Sequence, residues 1–170
     1  TVDNKAPQYS ESMLIRLDGL ADAVWWIHAP GVEEHGSDDW LMLGLNTWPG
    51  ILAQYWLNRV RVRWKVEADD WHELSSSDKE TATRLLDPAV NATAASSGII
   101  AADTYFIFAA DPMFAREHLF PLFEPTASER VSQVWKSYLH HPRVSDAMLN
   151  AGFWRLLASS HGLIATFGSS

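Results

Sequence analysis

The stretch Gly50-Ile-Leu-Ala-Gln-Tyr-Trp-Leu-Asn-Arg59-Val-Arg-Val-Arg-Trp-Lys-Val66 admits two readings. Leu52, Trp56, Val60 and Trp64 recur at four-residue steps, the spacing of one helix face. Arg59 to Val66 also alternates polar and apolar residues, the period of a strand. A lone strand would have no obvious pairing mate elsewhere in this chain. The segment is therefore read as a helix, and that choice makes the whole chain all-α. Asn46-Thr47-Trp48-Pro49 supplies its start: Asn46 or Thr47 can accept from free amides, and Pro49 suits a first turn.

Working outward, the same period holds on both sides. Segment 11–28 places Leu14, Leu17, Leu20, Ala21, Val24, Trp25 and His28 at steps of three and four, until Pro30-Gly31 stops it. Gly31, Gly36 and Ser37 mark a turn. Ser37 or Asp38 can cap a short helix 39–46. Ser77-x-x-Glu80 has the spacing of a capping box and opens a helix to about Leu86, which Asp87-Pro88 ends. Segment 89–109 is small and apolar, so other helices can come close to it; Ser97-Gly98 is a site for a bend. Asp111-Pro112 starts helix 112–123, with Pro121 expected to kink or shorten it. Thr126-x-x-Glu129 is a second capping box, for helix 127–141, which Pro142 ends. Ser145 caps helix 146–160. The expected architecture is about eight helices in irregular antiparallel pairs, α-solenoid-like. Residues 1–36 form an acidic helix and turn packed on a main body, residues 37–170.

The chain has 170 residues, 47% hydrophobic and 20% charged, which fits one folded domain and excludes a disordered or fibrous chain. It contains no cysteine, which excludes disulfides, thiolate metal sites and cysteine nucleophiles. No run approaches 18 apolar residues, and Thr1 to Pro7 lacks the apolar core of a signal peptide. A cytoplasmic location is expected. The net charge is −8, and residues 1–40 hold eight acids against two bases. Such a balance argues against nucleic acid as a partner. Arg59, Arg61, Arg63 and Lys65 are the local exception. Glu67, Asp69 and Asp70 follow at once, so the cluster is either a self-neutralising face or a docking patch.

Chemical motifs are sparse. The histidines show no H-E-x-x-H, and adjacent His140-His141 point about 100° apart on a helix, too far to share a metal easily. No metal or cofactor is expected. Paired carboxylates Asp38-Asp39 and Asp69-Asp70 sit where acids stabilise a first turn. No nucleophile elbow or phosphate-cradling glycine loop is present. Asp111, Glu117 and His118 are the weak alternative for a catalytic His/carboxylate cleft. The nine tryptophans are more distinctive: seven fall within residues 25–71. Most suit a bulky core. Trp25 and Trp26 are adjacent, so they cannot both face one core, and at least one is a candidate contact for a protein partner.

Three stretches carry a resemblance. They are Leu45-Asn-Thr-Trp-Pro-Gly-Ile-Leu-Ala-Gln-Tyr-Trp-Leu57, Tyr105-Phe-Ile-Phe-Ala-Ala-Asp-Pro-Met-Phe-Ala-Arg-Glu-His-Leu-Phe-Pro-Leu-Phe123, and Val134-Trp135 with Tyr138-Leu139. Across residues 40–140 the chain resembles a helical domain of unknown function that lies C-terminal to sirtuin-like NAD-consuming domains in large bacterial proteins linked to antiphage defence. The resemblance implies a cytoplasmic all-helical module of a longer chain, without the NAD site, since no sirtuin-like nucleotide motif occurs here. It transfers no catalytic residue. The expected function is a non-catalytic scaffold or protein-interaction module. Its candidate contacts are Trp25, Trp26, Arg59, Arg61, Arg63 and Lys65. A small helical hydrolase and a helical oligomerisation domain are the alternatives.

Overall fold

In the computed structural model, residues 10–33, 39–125 and 129–167 are described, and all regular structure among them is helical. Helix α1 is Glu11–His28, capped by the Ser10 hydroxyl, which accepts from the Met13 amide. Helix α2, Trp40–Asn46, is capped by Asp39. The expected caps Ser37 and Asp38 lie outside the described residues, as does Thr126 of the second capping box. Helix α3, Trp48–Glu67, spans the whole ambiguous stretch. Helix α4, Ser76–Leu86, has its capping box two residues earlier than expected, formed by Ser75 and Asp78. Helices α5, Thr93–Ala102, and α6, Thr104–Ala110, follow. Asp111 caps α7, residues 112–123. Helix α8 is Glu129–Leu139, α9 covers residues 146–159 from a Ser145 cap, and α10 is His161–Phe167.

Helix α5 forms the centre. Thr93 and every residue from Ala95 to Ala101 are buried, because α2, α3, α4 and α8 pack around it. A helix so enclosed needs small or apolar residues on all sides, and Thr-Ala-Ala-Ser-Ser-Gly-Ile-Ile-Ala-Ala meets that need. Gly98 does not bend it. A Cβ at Gly98 would come 2.4 Å from the Trp40 carbonyl oxygen, and one at Gly44 would come 2.4 Å from the Ala95 carbonyl oxygen. Each glycine therefore receives the backbone of the other helix. The break falls instead at Asp103, where α6 turns 71° away from α5. A solenoid repeats contacts between neighbouring pairs; here α5 joins α2, α3 and α4, which precede it, to α8, which follows. No single helix among the described residues is long and apolar enough to cross a membrane.

A second packing centre joins α7, α8 and α9. Phe123, Trp135, Tyr138 and Phe153 are fully buried, and the Phe123 ring lies 4.8 to 5.6 Å from the other three. Edge-to-face pairs of this kind add to their area burial. The polar ends are satisfied: Trp135 Nε1 donates to the Phe123 carbonyl at 3.1 Å, and Tyr138 Oη to the Arg143 carbonyl at 2.7 Å. Pro121 shapes α7 as expected, by removing an amide: residues Ala115–Leu119 widen to a π turn, and Phe120–Phe123 tighten to 3₁₀ geometry. Gly152, at φ 112°, makes a similar irregularity in α9.

Candidate functional site

On a helix, residues two apart lie about 200° apart. The arginine cluster on α3 is therefore close in sequence and splayed in space. Arg59 reaches Asp18 of α1 through two hydrogen bonds, Nε at 3.1 Å and Nη2 at 2.9 Å. Arg61 reaches Asp103 at the α5–α6 corner at 2.5 Å, with its guanidinium over the Phe106 ring. Arg63 pairs with Asp78 of α4 and donates to the Ser75 hydroxyl at 3.3 Å. These pairs latch three neighbours onto α3. Of the expected docking patch, Arg59, Arg61 and Arg63 are thus engaged in ion pairs within the chain, Arg61 with its side chain still 40% exposed, and Lys65 is exposed. The counterions are Asp18, Asp103 and Asp78, not the neighbouring Glu67, Asp69 and Asp70.

The α1 latch is the most elaborate. Tyr55 Oη donates to Asp18 at 2.6 Å, beside Arg59. Burial pushes the Asp18 carboxyl up, but the hydrogen bonds from Arg59 and Tyr55 and the Arg59 charge outweigh it and hold it below its ordinary value. Burial and the adjoining Asp18 carboxylate raise the Tyr55 phenol to about 12. Asp22, one turn on, pairs with Arg84 of α4. Between α1, α3 and α4 these side chains line a crevice of about 150 Å³. Trp56, which also lines it, leaves Nε1 without a protein partner. The crevice is of a size for a few water molecules.

Of the three residues of the catalytic alternative, Glu117 and His118 line one groove and Asp111 does not. Asp111 is 1% exposed. Its carboxylate accepts from the Phe114 amide at 2.9 Å, the Leu74 amide at 3.3 Å and Lys79 Nζ at 3.0 Å. It is a structural knot. Glu117 and His118 are exposed on α7, with the His118 ring stacked on Phe114 at 4.6 Å. They line an open groove with Trp26, Glu80, Arg84 and Asp87. No cluster of three or more His, Asp or Glu able to hold a metal occurs among the described residues.

The outer side of α1 carries five of the exposed large hydrophobic side chains; others, such as Met42, Leu45 and Ile51, lie on α2 and α3. Trp25 is 3% exposed and packs edge-on against Trp48 at 5.9 Å, so it is corrected from candidate contact to core residue. Trp26 is 65% exposed, with Arg84 over its ring. Leu20, expected on the inward stripe, is exposed too, as are Met13, Ile15 and Ile27. At 100° per residue the exposed residues Ile15, Trp26, Gly19, Ser12, Ala23, Arg16, Ile27, Leu20 and Met13 cover roughly 160° of the helix circumference, with exposed Asp22 at the edge beside Ile15. Arg16 is the single charge inside that span. Together the five large side chains leave on the order of 500 Å² of apolar surface in water, the size of the largest patch on an ordinary monomer, which is often functional. The sequence signal was present: in α1, apolar residues fall off the inward stripe as well as on it.

Comparison with protein-family models, with curated proteins and with solved structures finds no match to the chain.

Proposed function

We propose that the chain is a non-catalytic helical scaffold that binds another protein through the outer face of α1. The observation that supports it is the wide apolar face from Met13 to Ile27, on a helix tied to the body by the Asp18–Arg59 and Asp22–Arg84 pairs. The most extended apolar face of a domain is often functional. Trp26 is the natural anchor, because a large exposed aromatic gains most from being covered. The resemblance over residues 40–140 adds a setting: a cytoplasmic module within a larger bacterial defence-type protein whose sirtuin-like NAD-consuming domain lies elsewhere in the chain. The hydrolase alternative has weaker support, since Asp111 is fully occupied within the fold and stands apart from the groove of Glu117 and His118.

A photo-reactive residue at position 20 or 26, introduced in the source cells, tests this reading. The expected result is a covalent adduct with a protein, absent when the probe replaces exposed Glu73 in the segment before α4. No adduct at either α1 position would refute the interaction role. Immunoblotting the same cells sizes the native chain. A band well above 19.1 kDa is expected, and one at that mass would remove the parent-protein setting.

A further inference from the structure

We propose that the outer face of α1 pairs with the same face of a second copy of this chain, the two helices running antiparallel about Leu20. The inference rests on the reading of α1 as an interaction face and names its occupant.

Extent is the first argument. An 18-residue helix is about 27 Å long. Two such helices laid face to face cover the large side chains together with Gly19, Ala23 and the Arg16 stem. That approaches the roughly 800 Å² per partner of an ordinary specific interface. The face already has the composition of an interface core, with a tryptophan, a methionine, one arginine and no acid.

Internal symmetry is the second. Met13 lies seven residues before Leu20 and Ile27 seven after it. An antiparallel pair crossing at Leu20 sets Met13 against Ile27 of the other copy and Leu20 against Leu20. Ile15 then meets Trp26. Every large apolar side chain finds another, as a two-fold interface requires. Gly19 and Ala23, near the middle of the face, let the two backbones come close.

Charge selects the orientation. A parallel pair would bring the two Arg16 side chains together and align the helix dipoles. The antiparallel pair separates the arginines by about 12 Å along the axis and opposes the dipoles. Charge also disfavours a lipid surface. A chain of net −8 is repelled by anionic headgroups, and Arg16 is the only cation that α1 itself puts on the face, Arg84 over Trp26 being paired with Asp22.

Light scattering on purified protein across a concentration series tests the pairing. Wild type is expected to move from 19.1 kDa towards twice that mass. Leu20→Glu places two carboxylates on the axis and is expected to weaken association roughly 100-fold or more. Leu20 is 59% exposed, so the variant keeps its fold, which circular dichroism checks. Cysteine scanning fixes the orientation, because the chain has no cysteine of its own. With a short bismaleimide, Leu20→Cys is expected to link to itself. Met13→Cys is expected to link only when mixed with Ile27→Cys, its own copies lying about 21 Å apart.

A chain monomeric up to roughly 100 µM would overturn the proposal; so would a dimer indifferent to Leu20→Glu, or self-linking Met13→Cys. Binding to phosphatidylglycerol vesicles that Leu20→Glu abolishes would assign the face to lipid and overturn it as well. A monomer whose position-20 probe still links to a different protein in cells refutes the second copy alone. The wider reading falls only when the cellular adduct is missing too.

Discussion

Replacing Gly98 by alanine isolates the close approach of α2 to α5. In an open helix the change is favourable, since alanine is about 1 kcal/mol better than glycine at an interior position. At Gly98 the new Cβ would stand 2.4 Å from the Trp40 carbonyl oxygen and 2.5 Å from its carbon. Ordinary contact begins near 3.4 Å, so one helix must retreat by about 1 Å. The atoms met are backbone and cannot swing away as a side chain would. Overpacking of a tight core costs typically 1–3 kcal/mol, and a backbone clash belongs at the upper end. Subtracting the propensity gain leaves a loss of about 2 kcal/mol. Gly19 is the control: it lies mid-helix in α1 with nothing within 4 Å of a new Cβ. Gly19→Ala is expected to gain about 1 kcal/mol. Urea unfolding followed by circular dichroism reads both, at submicromolar protein so that association does not enter. With a slope near 2 kcal/mol/M, the midpoint should fall by about 1 M for Gly98→Ala and rise by about 0.5 M for Gly19→Ala. A rise in both would show that α5 is not packed against backbone at Gly98.

Asp111→Ala leaves the Phe114 and Leu74 amides without their acceptor while Lys79 keeps Glu73; a loss of about 1–3 kcal/mol is expected, read as a drop in melting temperature. Acid should release α1 before the core. The Asp18 carboxyl is held below its ordinary value, so its contribution is full above the unfolded value near 3.8 and disappears as pH falls through the lower folded one. Hydrogen exchange should show α1 opening there first, and Asp18→Asn should open it at neutral pH. The same variant should bring the Tyr55 phenol down from about 12 towards 10 in an ultraviolet titration. Ala68, at φ 46° and ψ −108° after α3, holds a conformation that suits glycine; Ala68→Gly is expected to raise stability by about 0.5–1 kcal/mol in the same urea assay.

Helix identity was legible where the signal is local. The four-residue step in α3 outweighed its two-residue alternation, and Ser145 and Asp111 were readable as caps because capping needs only residues within one turn. Features set by distant neighbours were not. Ser97-Gly98 has the composition of a bend; whether such a site bends or receives another backbone depends on α2, more than 50 residues away. Ser75-x-x-Asp78 and Ser77-x-x-Glu80 fit one template, and the choice between them is tied to Arg63 of α3, which meets Asp78. The arginine cluster misled for a related reason: neighbours in sequence point to different elements on a helix. Leu20 was placed inward because α1 carries apolar residues around most of its circumference, so periodicity alone could not choose the buried side.

The central position of α5 also sets a timetable for the nascent chain. The glycine surface of α2 is made when residue 46 leaves the ribosome, but the helix that fills it ends at residue 102. At roughly 5–20 residues per second, α2 and α3 wait several seconds for their mate. The last wall, α8, arrives later still. Until then Leu41, Leu57 and Val60, all buried at the end, lack the cover that α5 and α8 supply. Pauses in translation between residues 67 and 102 would lengthen that exposure, whereas pauses after residue 139 would not.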